Sequence, residues 1–110
     1  MDVRLITQAS VSIFSFDGKI MSDADLIEAN NLLTSITQWN VVLDLSKLAY
    51  INSTGIAFFV KVLTRARLNQ GDVVMLQVNE QLVKIFELTK INQVFQLVNT
   101  MDEVNAYFKK

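Results

Sequence analysis

The sequence predicts an α/β fold with a mixed, mostly parallel sheet of four or five strands and about four helices. Short apolar runs rich in Val, Ile and Leu alternate with amphipathic segments along most of the chain. Two of these runs, residues 41–45 and 73–78, lack polar–apolar alternation, which is typical of parallel strands buried on both faces. The 110 residues are 51% hydrophobic and include no linker-like stretch, so we expect one domain over residues 1–110.

The first elements are a hairpin and a helix. Residues 3–9 and 11–16 predict two strands, and the Asp-Gly pair at 17–18 predicts the end of the second strand. Ser22 can cap a helix, with an aspartate three residues later at the capping-box position. Apolar residues at helical spacing then extend this helix over residues 23–38.

The rest of the chain alternates strand and helix. Polar residues that favour helix starts precede each apolar helical stripe: residues 52–54, Asn79 and Thr100. The predicted order is β-β-α-β-α-β-α-β-α, which implies right-handed crossovers between parallel strands. The predicted elements in this part are strand 41–45, helix 54–70, strand 73–78, helix 80–89, a weaker strand 94–98 and helix 101–108.

The apolar pattern also predicts the core. Phe58 and Phe59 are adjacent and cannot share one narrow stripe of a helix, so one of them either contacts a partner or packs against a neighbouring helix. Met21 and Met75 are ordinary core candidates. The residues predicted to be mostly buried are Val42, Leu43, Leu45, Ile56, Phe59, Val60, Leu63, Val74, Leu76, Leu82 and Phe86.

The composition argues against several classes of function. The chain has no His and no Cys, which removes the imidazole base, the thiolate nucleophile and the usual zinc ligands. An enzyme is therefore not predicted, and no cofactor or metal is expected. A net charge of −1 without a basic run argues against direct nucleic-acid binding, and the longest apolar run is too short for membrane insertion. We expect a cytoplasmic protein.

Residues 52–55, Asn-Ser-Thr-Gly, lie between a strand and an apolar helix, where two interpretations are open. Spacing alone favours a simple helix cap, because Asn, Ser and Thr oxygens accept hydrogen bonds from free backbone N–H groups. The same helix start would also tolerate an anion, so a phosphate could be bound there or attached to Ser53 or Thr54. A P-loop is excluded because the stretch has neither its glycines nor its lysine.

Residues 44–56, DLSKLAYINSTGI, resemble the most characteristic motif of STAS domains, and in particular of the small bacterial anti-sigma factor antagonists. That motif has an acidic–apolar–Ser start, an apolar pair and then Asp-Ser-Ser/Thr-Gly-Leu. The resemblance extends to Gly18 after the second strand, to Gly71, and to the late helices at 83–91 and 100–106. The chain departs from the family pattern at Asn52, where Asp is usual, and at Met21, where an acidic residue is common.

The resemblance implies a switchable binding module. In the family, the first Ser of the motif, here Ser53, is phosphorylated by a GHKL-type serine kinase that is itself the anti-sigma factor. A PP2C-type phosphatase reverses the modification. The resemblance also leaves open whether two copies of the chain form a weak homodimer. Unphosphorylated protein sequesters the kinase and frees the sigma factor. The resemblance places the partner-binding surface on Asn52, Ser53, Thr54, Gly55, Ile56, Gly18 and Asp23.

A second function remains open within the same family. The chain also resembles STAS subunits that do not switch, such as scaffolds of stressosome type or soluble partners of a transporter ATPase. Co-purification of a GHKL-type kinase rather than an ABC ATPase would distinguish the two.

Overall fold

Five strands form one mixed sheet in a computed structural model that describes residues 1–109. Lys110, which the predicted domain includes, lies outside the described residues. The strand order follows the sequence; the first pair is antiparallel and the other three pairs are parallel, which confirms the predicted fold class. The strands are β1 (Asp2–Gln8), β2 (Val11–Ile20), β3 (Asn40–Ile51), β4 (Asp72–Leu76) and β5 (Gln96–Val98).

Helices connect the parallel strands and one more follows the last strand, and polar side chains cap three of these helices. Asn52, Asn79 and Thr100 each accept a hydrogen bond from a backbone N–H in the first turn of the helix that follows. Half of the capping box predicted at Thr100 is present: the Thr100 hydroxyl oxygen accepts from the Glu103 N–H, whereas the Glu103 carboxylate accepts from the N–H of Asn99 and not from that of Thr100. The helices are α1 (Ile27–Leu33), preceded by a 3₁₀ turn (Asp23–Leu26), α2 (Ser53–Leu68), α3 (Glu80–Leu88), a 3₁₀ turn (Ile91–Gln93) and α4 (Met101–Phe108).

The sheet separates two apolar clusters of unequal size. On one face, α1, α2 and α3 cover a large core that includes a group of packed phenylalanine rings contributed by β2 and α2. On the other face, α4 covers a smaller cluster through Val104. The remaining buried members of this smaller cluster are Val11, Val42, Val74, Leu76 and Val98.

The boundaries of β2 and of the first helix differ from the prediction. β2 does not end at the Asp-Gly pair but continues to Ile20 through a register irregularity, with Gly18 at φ +123°. Pairing with β3, which itself extends to Ile51, keeps these residues in the sheet. The predicted helix over 23–38 is a 3₁₀ turn followed by α1, which ends at Leu33, and Ser22 makes no side-chain cap.

The buried face of α2 is rotated by about one residue from the predicted stripe. Phe58 and Phe59 are both buried, at 4% and 1% exposure, so neither faces solvent. Val60 is 38% exposed, so its predicted burial was wrong, whereas Ile56 is partly buried and packs against the large core. The buried arc includes two adjacent residues because the apolar face of a packed helix spans about 100° or more. It comprises Gly55, Phe58, Phe59, Val62, Leu63 and Ala66.

Candidate functional site

The junction between β3 and α2 lies at the edge of the sheet where parallel strands end. Ile20, the last residue of β2, pairs with Ile51, the last residue of β3. The Asn52 N–H donates to the carbonyl of Ile20 at 3.2 Å, which brings the chain after β2 against the start of α2. Open α/β sheets place functional sites at such edges. The arrangement therefore joins two loops into one surface.

Asn52 is the cap of α2. Its backbone is extended, at φ −114° and ψ −170°, and its side-chain Oδ1 accepts from the N–H groups of Thr54 at 3.0 Å and Gly55 at 3.4 Å. Its Nδ2 donates to the carbonyl of Met21 at 2.7 Å. The sequence left the capping residue open among positions 52–54, and the structure assigns it to the first of them. The Ser53 hydroxyl is consequently not needed as a cap.

Ser53 is the first residue of α2 and is exposed. Among residues 1–109, no hydrogen bond of its hydroxyl is found, and no acidic side chain lies in the first turn of the helix. The aligned peptide dipoles of a 16-residue helix give this end partial positive charge. An accessible hydroxyl in this setting can take a phosphoryl group, and the resulting anion would lie at the favourable end of the helix.

Gly55 lets α2 approach the sheet closely. A Cβ atom at this position would lie 2.4 Å from Ile51 Cγ1 and 2.9 Å from Ile20 Cγ2. Thr54 and Ile56 on either side of it are half-buried. These contacts fix the first turn of α2, and with it Ser53, relative to the ends of β2 and β3.

Exposed apolar residues, which we call the junction surface, lie on the same side of the molecule as Ser53. They are Met21, in the loop that is hydrogen-bonded to Asn52, and Ala57 and Val60 of α2. Met21 is 57% exposed, so its prediction as a core residue was wrong. Ala57 and Val60 follow Ser53 along the exposed side of α2 at helical spacing. Sequence reasoning missed this surface because apolar residues at helical spacing are more often buried.

The other predicted site residues are less closely associated with Ser53. Gly18 lies inside β2, opposite Leu48 of β3, and not in a loop beside Ser53. Asp23 is exposed at the start of the 3₁₀ turn, which packs beside α2. Lys61 Nζ donates to Asn30 Oδ1 at 2.7 Å, which ties α2 to α1 further along the helix.

Asp44 belongs to a different part of the molecule. It is half-buried on the face of the sheet that α4 covers only in part, and its Oδ1 accepts from the Ser46 N–H at 3.1 Å. It borders a shallow cleft of about 250 Å³ together with Arg4 and Lys47. The structure therefore supports a backbone-pairing role for this carboxylate and does not bring it to Ser53.

Two further observations concern membranes and metals. Within residues 1–109, every helix is too short or too polar to cross a bilayer. In the same part of the chain, no cluster of three or more carboxylates has the spacing to hold a metal ion.

Residues 2–104 match the family described as the STAS domain. The chain belongs to the STAS domain family. A relative from Listeria monocytogenes, named an anti-sigma-B factor antagonist, is 29% identical over 64 residues, which are 58% of this chain. The chain spans a little over half, 56%, of the length of this curated relative.

Solved STAS structures share the fold over nearly the whole chain. A candidate anti-sigma factor antagonist from Thermotoga maritima superposes with a TM-score of 0.84 at 17% identity, covering 98% of this chain and 95% of the other. The Bacillus cell fate determinant SpoIIAA in its phosphorylated form gives a TM-score of 0.75 at 8% identity, covering 96% and 99%. At these identities, the likeness establishes the fold.

Proposed function

We propose that this STAS domain is an anti-sigma factor antagonist whose binding to its partner is switched off by phosphorylation of Ser53. Membership of the family and the name of the Listeria relative support the class of function. The observation that carries the switch is that the helix cap and the exposed hydroxyl at the start of α2 belong to two different residues. Asn52 caps α2, which leaves the adjacent Ser53 hydroxyl exposed and without a structural task.

The unphosphorylated protein would bind its partner through the junction surface. Exposed apolar side chains beside a polar, exposed Ser53 fit a protein interface better than a solvated helix face. The partner we propose is an anti-sigma factor that is also a GHKL-type serine kinase. It would transfer the γ-phosphoryl group of ATP to the Ser53 oxygen, with loss of the hydroxyl proton and release of ADP. A PP2C-type phosphatase would hydrolyse the phosphoester and restore binding.

Phosphorylation would act on the interface and spare the fold. A phosphoserine carries about −1.5 to −2 charge at neutral pH. At the N-terminus of α2 this charge is favourable to the helix, so the domain stays folded. In the complex, however, the phosphate would have to leave water next to the apolar junction surface, which costs binding free energy. The fold of phosphorylated SpoIIAA shows that a domain of this architecture retains its structure when phosphorylated in that protein.

Calorimetry with the purified candidate kinase encoded in the same genome, in the presence of ADP, tests this proposal. Ser53→Ala should bind like the parent chain and should accept no phosphate when ATP is added, as judged by mass spectrometry. Ser53→Asp should bind more weakly, although one carboxylate imitates a phosphate imperfectly. Thr54→Ala should weaken binding less than Ser53→Asp does.

The matched control is Ser10→Asp. Ser10 is also exposed, but it lies in the β1–β2 turn, next to the beginning of β2 and therefore at the opposite edge of the sheet from the end of β3. Ser10→Asp should leave affinity unchanged, and thermal melts should show that all variants fold. If Ser53→Asp binds as tightly as the parent, or if phosphate appears elsewhere while Ser53 stays unmodified, the switch is refuted. A non-switching scaffold function then becomes the better hypothesis.

A further inference from the structure

We propose that Asn52 is a positioning residue of the Ser53 switch: its amide joins the Met21 loop to α2, and its neutrality leaves the positive end of that helix to a phosphate on Ser53. This inference rests on the proposed function for its biological meaning. Its physical content concerns hydrogen bonds and charge in the isolated domain, and it can be tested without any partner.

The first part of the argument is the set of hydrogen bonds that Asn52 makes with both loops. Its Oδ1 accepts from the N–H groups of Thr54 and Gly55, and its Nδ2 donates to the Met21 carbonyl at 2.7 Å. The Met21 N–H in turn donates to Asp25 Oδ2 at 2.9 Å. A continuous chain of hydrogen bonds therefore runs from the start of α2 through Asn52 to the 3₁₀ turn.

Only an amide side chain can serve both loops in this geometry. A carboxylate at position 52 would retain the two bonds at the helix start but would have no hydrogen to donate to the Met21 carbonyl. Its oxygen would instead face that carbonyl oxygen, and the two would repel each other. The Asn that replaces the more usual Asp thus links Ser53 to the exposed Met21 side chain, and the two are presented as one preformed surface.

The second part of the argument is electrostatic. The first turn of α2 contains no acidic residue and its cap is uncharged, so no side chain of α2 itself neutralises the partial positive charge of the helix end. A dianion on Ser53 would therefore interact with the end of α2 without a competing carboxylate in the first turn of that helix. Asp23 and Asp25 lie on the 3₁₀ turn that packs beside α2, and both carboxylates are the same in every variant compared below. An aspartate at position 52 would place a like charge on the adjacent residue and would disfavour the second ionisation of the phosphate. The neutral cap consequently gives the modified protein a fuller negative charge at neutral pH, which sharpens the switch.

Asn79 offers a matched control within the same chain. It caps α3 with the same chemistry: its Oδ1 accepts from the Leu82 N–H at 2.9 Å and its Nδ2 donates to the Leu48 carbonyl at 3.0 Å. Asn79→Asp makes the same chemical change as Asn52→Asp at the start of a different helix. Any effect of aspartate on a helix cap in general should therefore appear in both variants.

The decisive experiment uses the full chain with phosphoserine incorporated biosynthetically at position 53, so that no kinase is required. The second pKa of the phosphate is measured by ³¹P NMR titration. Asn52→Asp should raise this pKa by about 0.5, the size expected for a like charge on a neighbouring, partly exposed side chain. Asn79→Asp should leave it nearly unchanged, because screening by salt weakens the interaction over longer distances. Equal shifts in the two variants, or no shift with Asn52→Asp, would overturn the electrostatic part.

Hydrogen exchange of the unmodified protein tests the coupling of the loops. In Asn52→Asp, exchange of the Met21 and Asp25 amides should accelerate about five-fold, the change expected from losing one hydrogen bond. In Asn79→Asp, these amides should exchange as in the parent chain. Unchanged exchange in Asn52→Asp would overturn the positioning role. Neither measurement involves a partner, so failure of the kinase-binding test would leave their outcome unaffected and the two proposals can fail separately.

Discussion

Gly55→Ala should destabilise the domain, although alanine is the better helix former. Within an exposed helix, Gly→Ala stabilises by up to about 1 kcal/mol. At position 55, however, the new Cβ would lie 2.4 Å from Ile51 Cγ1, 2.8 Å from Ile51 Cδ1 and 2.9 Å from Ile20 Cγ2. Ile51 and Ile20 are 1% and 0% exposed, so neither side chain can move into solvent. Overpacking of this kind typically costs about 1–3 kcal/mol, so we expect a net loss of about 1–2 kcal/mol.

Urea unfolding followed by circular dichroism measures this loss. Ala57→Gly, the reverse change at an exposed position of the same helix, measures the propensity difference and should destabilise by about 1 kcal/mol. Ile51→Ala removes both atoms of the Ile51 contact, so the double variant with Gly55→Ala should be more stable than the sum of the single effects by at least about 1 kcal/mol. A Gly55→Ala protein as stable as the parent, or more stable, would refute the steric argument.

Three further outcomes follow from the packing and the hydrogen bonds, each checked by urea melts. Phe59→Ala should lower the free energy of unfolding by about 3–5 kcal/mol, because the ring is 1% exposed. Val60→Ala, at a 38% exposed position, should change the free energy of unfolding by less than about 0.5 kcal/mol. Similar losses in the two variants would contradict the assigned orientation of α2. The hydrogen bond that Tyr107 donates to Asp72, together with burial, raises the pKa of Tyr107. The stability that this bond gives the folded domain is therefore complete below about pH 10 and is lost as the pH rises through the raised pKa of the folded state. Tyr107→Phe should lower the free energy of unfolding by about 1 kcal/mol at neutral pH and should remove the loss of stability at alkaline pH. A variant whose stability depends on pH as that of the parent does would contradict this role of the hydrogen bond. Thr100→Ala should cost about 1 kcal/mol, and no loss would mean that the cap of α4 is dispensable.

The order and type of the elements could be predicted because local chemistry determines them. Continuous β-branched runs can be satisfied only inside a sheet, and the caps at Asn79 and Thr100 have the geometry that their residue types favour. Strand and helix ends could not be predicted as well. β2 continues past an Asp-Gly pair because its partner strand supplies backbone pairing as far as Ile20, and no local pattern records a partner 31 residues away.

The candidate site was predicted in part for the same reason. The position of Ser53 at a helix start follows from neighbouring residues alone, and that prediction needed only the order of strand, polar loop and helix. The assignment of the cap to Asn52 needed the Met21 carbonyl, which the sheet brings to it. The local sequence shows that residue 52 can accept hydrogen bonds from the N–H groups of Thr54 and Gly55. It does not show the contact with the Met21 carbonyl, and that contact is what distinguishes Asn from Asp at this position.

The exposed side chains beside Ser53 could not be predicted, because a rotation of α2 by one residue decides which of them are buried. The apolar residues of this helix are numerous enough to support two stripes, one through Val60 and one through Phe58. The structure selects the second, since the Phe58 ring packs edge-on against Phe14 and Phe16 of β2. Val60 is thereby turned outward onto the same side of the helix as Ser53. The aromatic packing of the core thus determines the apolar surface that the proposed partner would bind. A core substitution that rotates α2 should therefore alter binding even though no residue of that surface is replaced.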